Sequence, residues 1–249
     1  MNKKLLVFNW KSAPATVDAA IKLAKAVESG IPKKNAPEIV IAPPFLFIEE
    51  VGKFVKKTKL GSQDVFWKNI GPYTGEISLR QEKNLKVKYV IIGHSERRRI
   101  LGETDTMINK KVLATLKAGL KVILCVGEPK RELGIKNYEL KIKKAKNYVK
   151  NQLKKDLRGI HNSLFKIHNS LIIAYEPVWA IGTGHSDSPE DAVEMIKFIK
   201  KTLNSRVLYG GSVNSKNIKN FVKYKEVDGF LIGGASLKPK EIKNIIKSI

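Results

Sequence analysis

The chain reads as a single α/β domain spanning residues 1–249, a (β/α)8 barrel with a parallel eight-stranded core. Three observations predict it. Short apolar, β-branched runs alternate with helix-like stretches from end to end. Several of those runs are apolar throughout instead of alternating, as strands covered on both faces must be. A length of 249 residues is the usual size for eight such units. Alternation alone also fits an open doubly wound sheet, because both architectures use the same βα unit. No GxGxxG follows the first strand, so the dinucleotide-binding form of that sheet lacks its main signal.

The strand candidates are Leu5–Asn9, Ile39–Ala42, Lys59–Gln63, Tyr89–Ile92, Lys121–Val126, Leu171–Tyr175, Arg206–Tyr209 and Gly229–Ile232. After the first, Val17, Ala20, Ile21, Ala24 and Val27 recur at helical spacing behind Pro14 and predict an inward stripe. After the fifth, "YELKIKKAKNYVKNQLKKDL" places Ile142, Ala145, Val149 and Leu153 on one face with lysines between them, an amphipathic helix with a wet basic side. After the sixth, Ser188-Pro189-Glu190-Asp191 supplies an N-cap, a first-turn proline and two acids. Val193, Ile196, Ile199 and Leu203 form that helix's inner stripe, and Lys197, Lys200 and Lys201 fall near its negative end. No linker rich in Gly, Pro or Ser divides the chain.

One cysteine, Cys125, excludes an internal disulfide and suits a reducing compartment. "MNKKLLVFNWK" opens like a signal peptide, but Asn9-Trp10-Lys11 ends its apolar part too early. No stretch reaches the roughly 18 apolar residues of a membrane helix, so a cytoplasmic protein with no membrane partner is expected. The balance of 47 Lys+Arg against 23 Asp+Glu, net +24, admits two readings. One is a polyanion partner such as nucleic acid. The commoner one is a lysine-rich composition spread over solvated helix faces. Either predicts weak, salt-sensitive, non-specific adhesion to nucleic acid.

In a barrel the reactive side chains stand just past the C-terminal strand ends. Strand 1 runs into Asn9-Trp10-Lys11, strand 4 into Gly93-His94-Ser95-Glu96-Arg97-Arg98, and strand 6 into Glu176. Strand 7 runs into Tyr209-Gly210-Gly211-Ser212-Val213, and strand 8 into Gly233-Gly234-Ala235-Ser236. A glycine pair at a strand-to-helix turn is usually only a tight turn. Two on consecutive strands, one carrying Ser212, point to exposed backbone N–H groups that bind phosphate. Glu176 ends the apolar run Leu171-Ile172-Ile173-Ala174-Tyr175 and is covered by Pro177-Val178-Trp179-Ala180-Ile181, a strange place for an acid. A lone histidine such as His94 is more often structural. At a helix start, however, the positive dipole end favours a neutral ring that donates a hydrogen bond. Lys11 at the barrel mouth offers charge to an anionic substrate. Cys125 reads as a packed residue, not a nucleophile. The four histidines, His94, His161, His168 and His185, make no convincing metal cluster.

"NWK", "YTGEIS", "YVIIGHSERR", "CVGE", "AYEPVWAIGTG", "YGGSV" and "GFLIGGASL" together resemble the triosephosphate isomerase family, in its order and spacing, from Asn9 to Leu237. "AYEPVWAIGTG" and "GHSERR" are close to diagnostic, whereas "CVGE" and the glycine pairs alone would be weak. The resemblance implies a TIM barrel that interconverts dihydroxyacetone phosphate and D-glyceraldehyde 3-phosphate without a cofactor, in glycolysis and gluconeogenesis. The likeness also implies the family's acid–base chemistry and the closure of a lid over the site.

On that likeness Glu176 is the base, moving a proton between adjacent carbons through an enediol(ate). A carboxylate is a poor base in water, and a lid that excludes solvent improves it. His94 polarises the carbonyl, and Asn9 and Lys11 stabilise the developing negative charge. Ser95 holds Glu176 when the lid is open, and Glu96 is a charged support at the base of the site. The lid comprises Pro177, Val178, Trp179, Ala180, Ile181, Gly182, Thr183 and Gly184, with Gly182 presenting its N–H to the phosphate. Ser212, Gly233 and Gly234 bind the phosphate through backbone N–H groups. Closure also keeps the enediolate from losing phosphate to solvent. The family's "YTGE" loop reaches into a neighbouring subunit, so a homodimer is implied, with Thr74 near the partner's Asn9 and Lys11. Without the likeness, Tyr73-Thr74-Gly75-Glu76 reads as an ordinary turn.

There are departures from the family pattern. His185-Ser186-Asp187 stands at the far lid hinge, where a lysine followed by small or apolar residues is common, and bears on lid rates. Leu79-Arg80-Gln81 replaces a usual Pro and Met, and Lys86 a usual glycine; both bear on the dimer loop. Asp64 replaces an asparagine found in many members. Two other readings predict different features. Another phosphate-binding barrel enzyme would keep the glycine pairs with other strand-end chemistry. A nucleic-acid-binding barrel would interleave aromatics with Lys/Arg on one face, whereas the lysines here lie along several helices.

Overall fold

A computed structural model describes residues 3–129, 138–160, 170–181 and 187–249. The strands are β1 (Leu5–Asn9), β2 (Glu38–Ala42), β3 (Lys59–Ser62), β4 (Tyr89–Ile92), β5 (Lys121–Val126), β6 (Leu171–Tyr175), β7 (Arg206–Tyr209) and β8 (Gly229–Ile232). They pair in parallel in chain order, and β8 returns to β1 with Leu5 opposite Gly229, closing the barrel and excluding the open sheet. Six strands have the expected bounds. β2 starts one residue early, and β3 ends before Gln63, whose side chain leaves the ladder to donate to the Lys11 and Ala42 carbonyls (2.8 and 2.9 Å).

Closure explains the all-apolar strands. Val7, Val40, Ile91, Ile123, Ile172 and Leu208 fill the barrel interior, while their neighbours Leu6, Ile41, Ile92, Leu124, Ile173 and Val207 face the helices. Both faces are buried, so neither is polar.

The helices around it are α1 (Val17–Gly30), α2 (Ile48–Gly52), α3 (Leu79–Asn84), α4 (Ser95–Ile100), α5 (Asp105–Lys117), α6 (Tyr138–Asp156), α7 (Pro189–Thr202), α8 (Ile218–Val222) and α9 (Pro239–Lys247). Ser188 caps α7 through its hydroxyl, which accepts from Asp191 N, with Pro189 in the first turn. Leu203, expected on that helix's inner stripe, is its half-buried C-cap residue. α1 differs more. Thr16 caps it by accepting from Ala19 N, so the helix starts after Pro14 by a full turn. Val17 is 39% exposed, and the buried stripe runs through Ala20, Leu23, Ala24, Ala26 and Val27.

One buried acid sits on a short helix beside the barrel. Glu82 of α3 is 1% exposed, and Ser62 Oγ donates to its Oε2 at 2.6 Å. Burial pushes its carboxyl from 4.5 up to about 8. Between those values the folded chain keeps a proton that the unfolded chain releases, so this group lowers stability as pH rises. Glu82→Gln keeps a hydrogen-bonding partner for Ser62 and removes the titration. Its melting temperature relative to the unsubstituted protein should rise steadily from pH 5 to pH 9. A pH-independent difference would contradict the buried protonated acid.

Candidate active site

Glu176 follows β6 directly, and its backbone N donates to Val126 O at 2.8 Å, continuing the ladder. The facing position must be glycine. A Cβ on Gly127 would lie 1.7 Å from the Glu176 carbonyl oxygen. The side chain is 1% exposed, and Ser95 N donates to its Oε2 at 3.1 Å. Its other oxygen, Oε1, stands 3.1 Å from His94 Nε2 without the alignment of a hydrogen bond.

His94 owes its place to Gly93, whose φ of +70° turns the chain sharply out of β4. The imidazole then caps α4, with Nδ1 accepting from Glu96 N at 3.2 Å. An accepting Nδ1 carries no proton, so the ring is the neutral tautomer with its N–H on Nε2, the nitrogen that faces Glu176.

Lys11 has the left-handed φ of +52° that non-glycine residues rarely adopt. Two bonds hold it there: its N donates to Asn9 Oδ1 (2.9 Å), and its carbonyl accepts from Gln63 Nε2 (2.8 Å). Its ammonium pairs with Glu96 and passes over Gly233, where a Cβ would come within 2.9 Å of Lys11 Cε. Ser236, fully buried, donates to both Asn9 O and Gly233 O, locking the β1 end to the β8 end.

Glu176, His94 and Lys11 line one cavity of about 580 Å³ that also collects Asn9, Ile181, Ser212, Gly233, Gly234, Lys216, Lys238 and Glu241. Ser212, at φ +51°, donates to Ala180 O (2.6 Å) and so touches the loop after Glu176. A larger cavity, about 720 Å³, lies against loop 66–78 and is lined by Phe66, Ile70, Tyr73 and Arg80. The smaller one is the candidate active site, since it is lined by Glu176, His94 and Lys11 together.

Of the expected lid, Pro177 to Ile181 are described, and Gly182, Thr183 and Gly184 lie outside the described residues, as do His185 and Ser186. Val178 and Ala180 are buried; Trp179 is half-buried, and its Nε1 donates to Glu128 Oε1 at 2.9 Å. Tyr175 OH donates to the same carboxylate at 3.1 Å. Past the loop, Asp187 N donates to Tyr209 OH at 3.0 Å, and its carboxylate accepts from Ser188 N. Thr74 is exposed on loop 66–78, away from the cavity that holds Asn9 and Lys11 of its own chain.

Sequence reasoning missed three supports: Gln63, Glu128 and the Tyr209 hydroxyl. Gln63 and Glu128 stand just past strands 3 and 5 and follow from reading those ends as closely as the others, whereas the Tyr209 hydroxyl, at the end of strand 7, bonds across to Asp187 N with no such signal. Cys125 is buried beside Glu176; burial first, then that carboxylate, pushes its thiol well up, so it stays protonated and packed. Among the described residues no group of His, Cys, Asp or Glu could hold a metal ion, and no helix is long and apolar enough to cross a membrane.

A family model described as triosephosphate isomerase matches residues 4–249. The chain is 42% identical to the triosephosphate isomerase of Dictyoglomus turgidum, with all of both chains covered. It is 43% identical to that of Thermoanaerobacter pseudethanolicus and 40% identical to that of Aquifex aeolicus, each over 99% of both chains. With the strand-end carboxylate, imidazole and ammonium in one cavity and this likeness running over the full barrel, the chain belongs to the triosephosphate isomerase family.

Proposed function

We propose that this chain interconverts dihydroxyacetone phosphate and D-glyceraldehyde 3-phosphate by proton transfer, with Glu176 as base and His94 as electrophile. The observation that carries it is the facing pair itself: Glu176 held by Ser95 N–H, 3.1 Å from the protonated nitrogen of a neutral His94. The substrate phosphate binds the N–H groups of Ser212, Gly233 and Gly234 and draws on the nearby ammonium charges. Its carbonyl and hydroxyl oxygens then lie between His94 Nε2, Asn9 and Lys11. Glu176 takes the proton from the carbon beside the carbonyl, negative charge grows on oxygen, and His94 and Lys11 stabilise it. Glu176 returns the proton to the neighbouring carbon. Glu96 pairs with Lys11, and the developing negative oxygen of the substrate draws the ammonium away from that carboxylate. Pro177 to Gly184 close over the intermediate, and Gly182 adds its N–H to the phosphate.

The same reading makes the protein a cytoplasmic homodimer. Ile70 (73% exposed) and Tyr73 (37%) beside the 720 Å³ cavity support it, because exposed apolar groups around a pocket favour burial against a partner. Thr74 would then reach toward the partner's Asn9 and Lys11. Thr74→Arg should give monomers by light scattering at micromolar protein; a persistent dimer removes loop 66–78 from the interface.

A coupled assay on the purified protein, followed in both directions, tests the reaction. Turnover at k_cat/KM of at least about 10⁴ M⁻¹s⁻¹, the ordinary enzymatic range, is expected. A folded protein with no turnover would overturn the assignment.

A further inference from the structure

We infer that the outer face of α6 is a docking surface for single-stranded nucleic acid, held through backbone phosphates. The sequence spreads its excess of cations over several helices, and the structure singles out one of them. α6 turns Ile142, Val149 and Leu153 toward the barrel, so its opposite face is free to be polar. Along one exposed flank Lys143, Asn147, Lys150 and Lys154 form a row, spanning about 16 Å at the helical rise, and its first two members border a groove shared with Glu194 and Phe198 of α7. Lys144, Tyr148, Asn151 and Lys155 form the row beside it, and Tyr148 is 45% exposed.

The second row is partly matched: Lys155 pairs with Asp105 at 3.1 Å, and Lys144 also has a partner. In the first row Glu139 stands one turn before Lys143, and Asp156, at the far end of the helix, is fully buried on Arg98 Nη2 at 2.6 Å. Lys143, Lys150 and Lys154 make no ion pair among the described residues. On α7, by contrast, Lys197 and Lys200 are matched by Glu226 and Asp228 (3.4 and 2.6 Å). The nearest rival row, Lys240, Lys243 and Lys247 on α9, shares its helix with Glu241 and has no aromatic.

A row of unpaired ammonium groups attracts a polymer of regularly spaced negative charges, and an exposed tyrosine gives its bases a surface on which to stack. An anionic membrane fits less well. A helix that lies in a lipid interface needs a broad apolar face outward, and here the outward side chains are polar except Leu140 and Tyr148. None of the α6 residues lines the 580 Å³ cavity, so docking leaves the active site open.

Fluorescence anisotropy with a labelled oligouridylate, in roughly 50–200 mM KCl, tests this on the intact protein. The triple charge reversal Lys143→Glu, Lys150→Glu and Lys154→Glu should weaken binding about 100-fold and flatten the salt slope by about 2, near 0.7 for each lost phosphate contact. The control reverses Lys240, Lys243 and Lys247 to glutamate, with the same change in net charge, and should weaken binding by less than about 5-fold. Undiminished isomerase turnover reports that both variants fold. Equal losses in the two triples would mean diffuse charge and overturn the assignment. So would failure of the unsubstituted protein to bind RNA at about 100 mM salt, where phosphate contacts still hold. Binding to phosphatidylserine vesicles in preference to RNA would overturn it as well.

Discussion

Replacing Glu176 with glutamine should lower k_cat about 10,000-fold while the protein stays folded and KM changes little. The amide has the shape of the carboxylate. Its oxygen can still accept from Ser95 N in the place of Oε2. The phosphate subsite is untouched, which is why KM should hold. What goes is the carboxylate at the β6 end to which the proposed mechanism gives the proton from carbon. Exchange of substrate hydrogen with deuterated solvent should fall in step with k_cat, since the proton passes through this residue. Glu176→Asp separates basicity from placement. It keeps a carboxylate but withdraws it by one methylene, roughly 1 Å, and a misplacement of that size costs about 100-fold. A glutamine variant within tenfold of the original k_cat would move the base elsewhere.

The chemistry was largely legible in the sequence because of how the barrel is closed. Parallel strands that pair in chain order put every C-terminal end at one mouth, so a list of residues after strands is also a list of neighbours. Asn9, Lys11, His94 and Glu176, separated by up to 167 positions, therefore line one cavity. The supports were harder to read, since their work is bonding across the fold. Gln63 fixes the unusual Lys11 backbone from 52 positions away, and Glu128 takes the indole of Trp179 from 51. Neither spacing has a signature. Buried acids were the other blind spot. Glu82 looks like the solvent side of a short helix, yet it is as buried as Glu176. The helix period marks a face, but which face meets the barrel at α1 and α3 depends on where the helix starts. At α1 the start falls at Val17, not at Pro14, and the buried arc moves with it.

The largest stability loss should come from Lys111→Met. Lys111 is 2% exposed on α5, and its ammonium sits 2.6 and 2.8 Å from the two Asp64 oxygens and against Glu103. Arg97 completes the cluster, 2.8 Å from Asp64 and 2.6 Å from Glu103. Two cations thus face two carboxylates. Burial raises Asp64 to about 6 against the pull of Lys111, and Glu103 is held low because the bonds and charges of Lys111 and Arg97 outweigh its burial. Methionine fills the lysine stem and removes only the charge, so one guanidinium is left with two buried carboxylates. Breaking a buried pair in this way costs about 3–5 kcal/mol. In a chain of this size that lowers the melting temperature by about 10 °C. The sign with pH distinguishes lost charge from lost packing. Without Lys111 the surplus carboxylate binds a proton more readily when folded than when unfolded, so the variant should recover as pH falls. The deficit should be smaller at pH 5 than at pH 8, and adding Asp64→Asn should restore part of it at pH 8. A loss equal at both pH values would mean that Lys111 matters for packing alone. Arg97 lies on the helix that His94 caps, so this balance of charges also fastens the turn that aims the imidazole at Glu176.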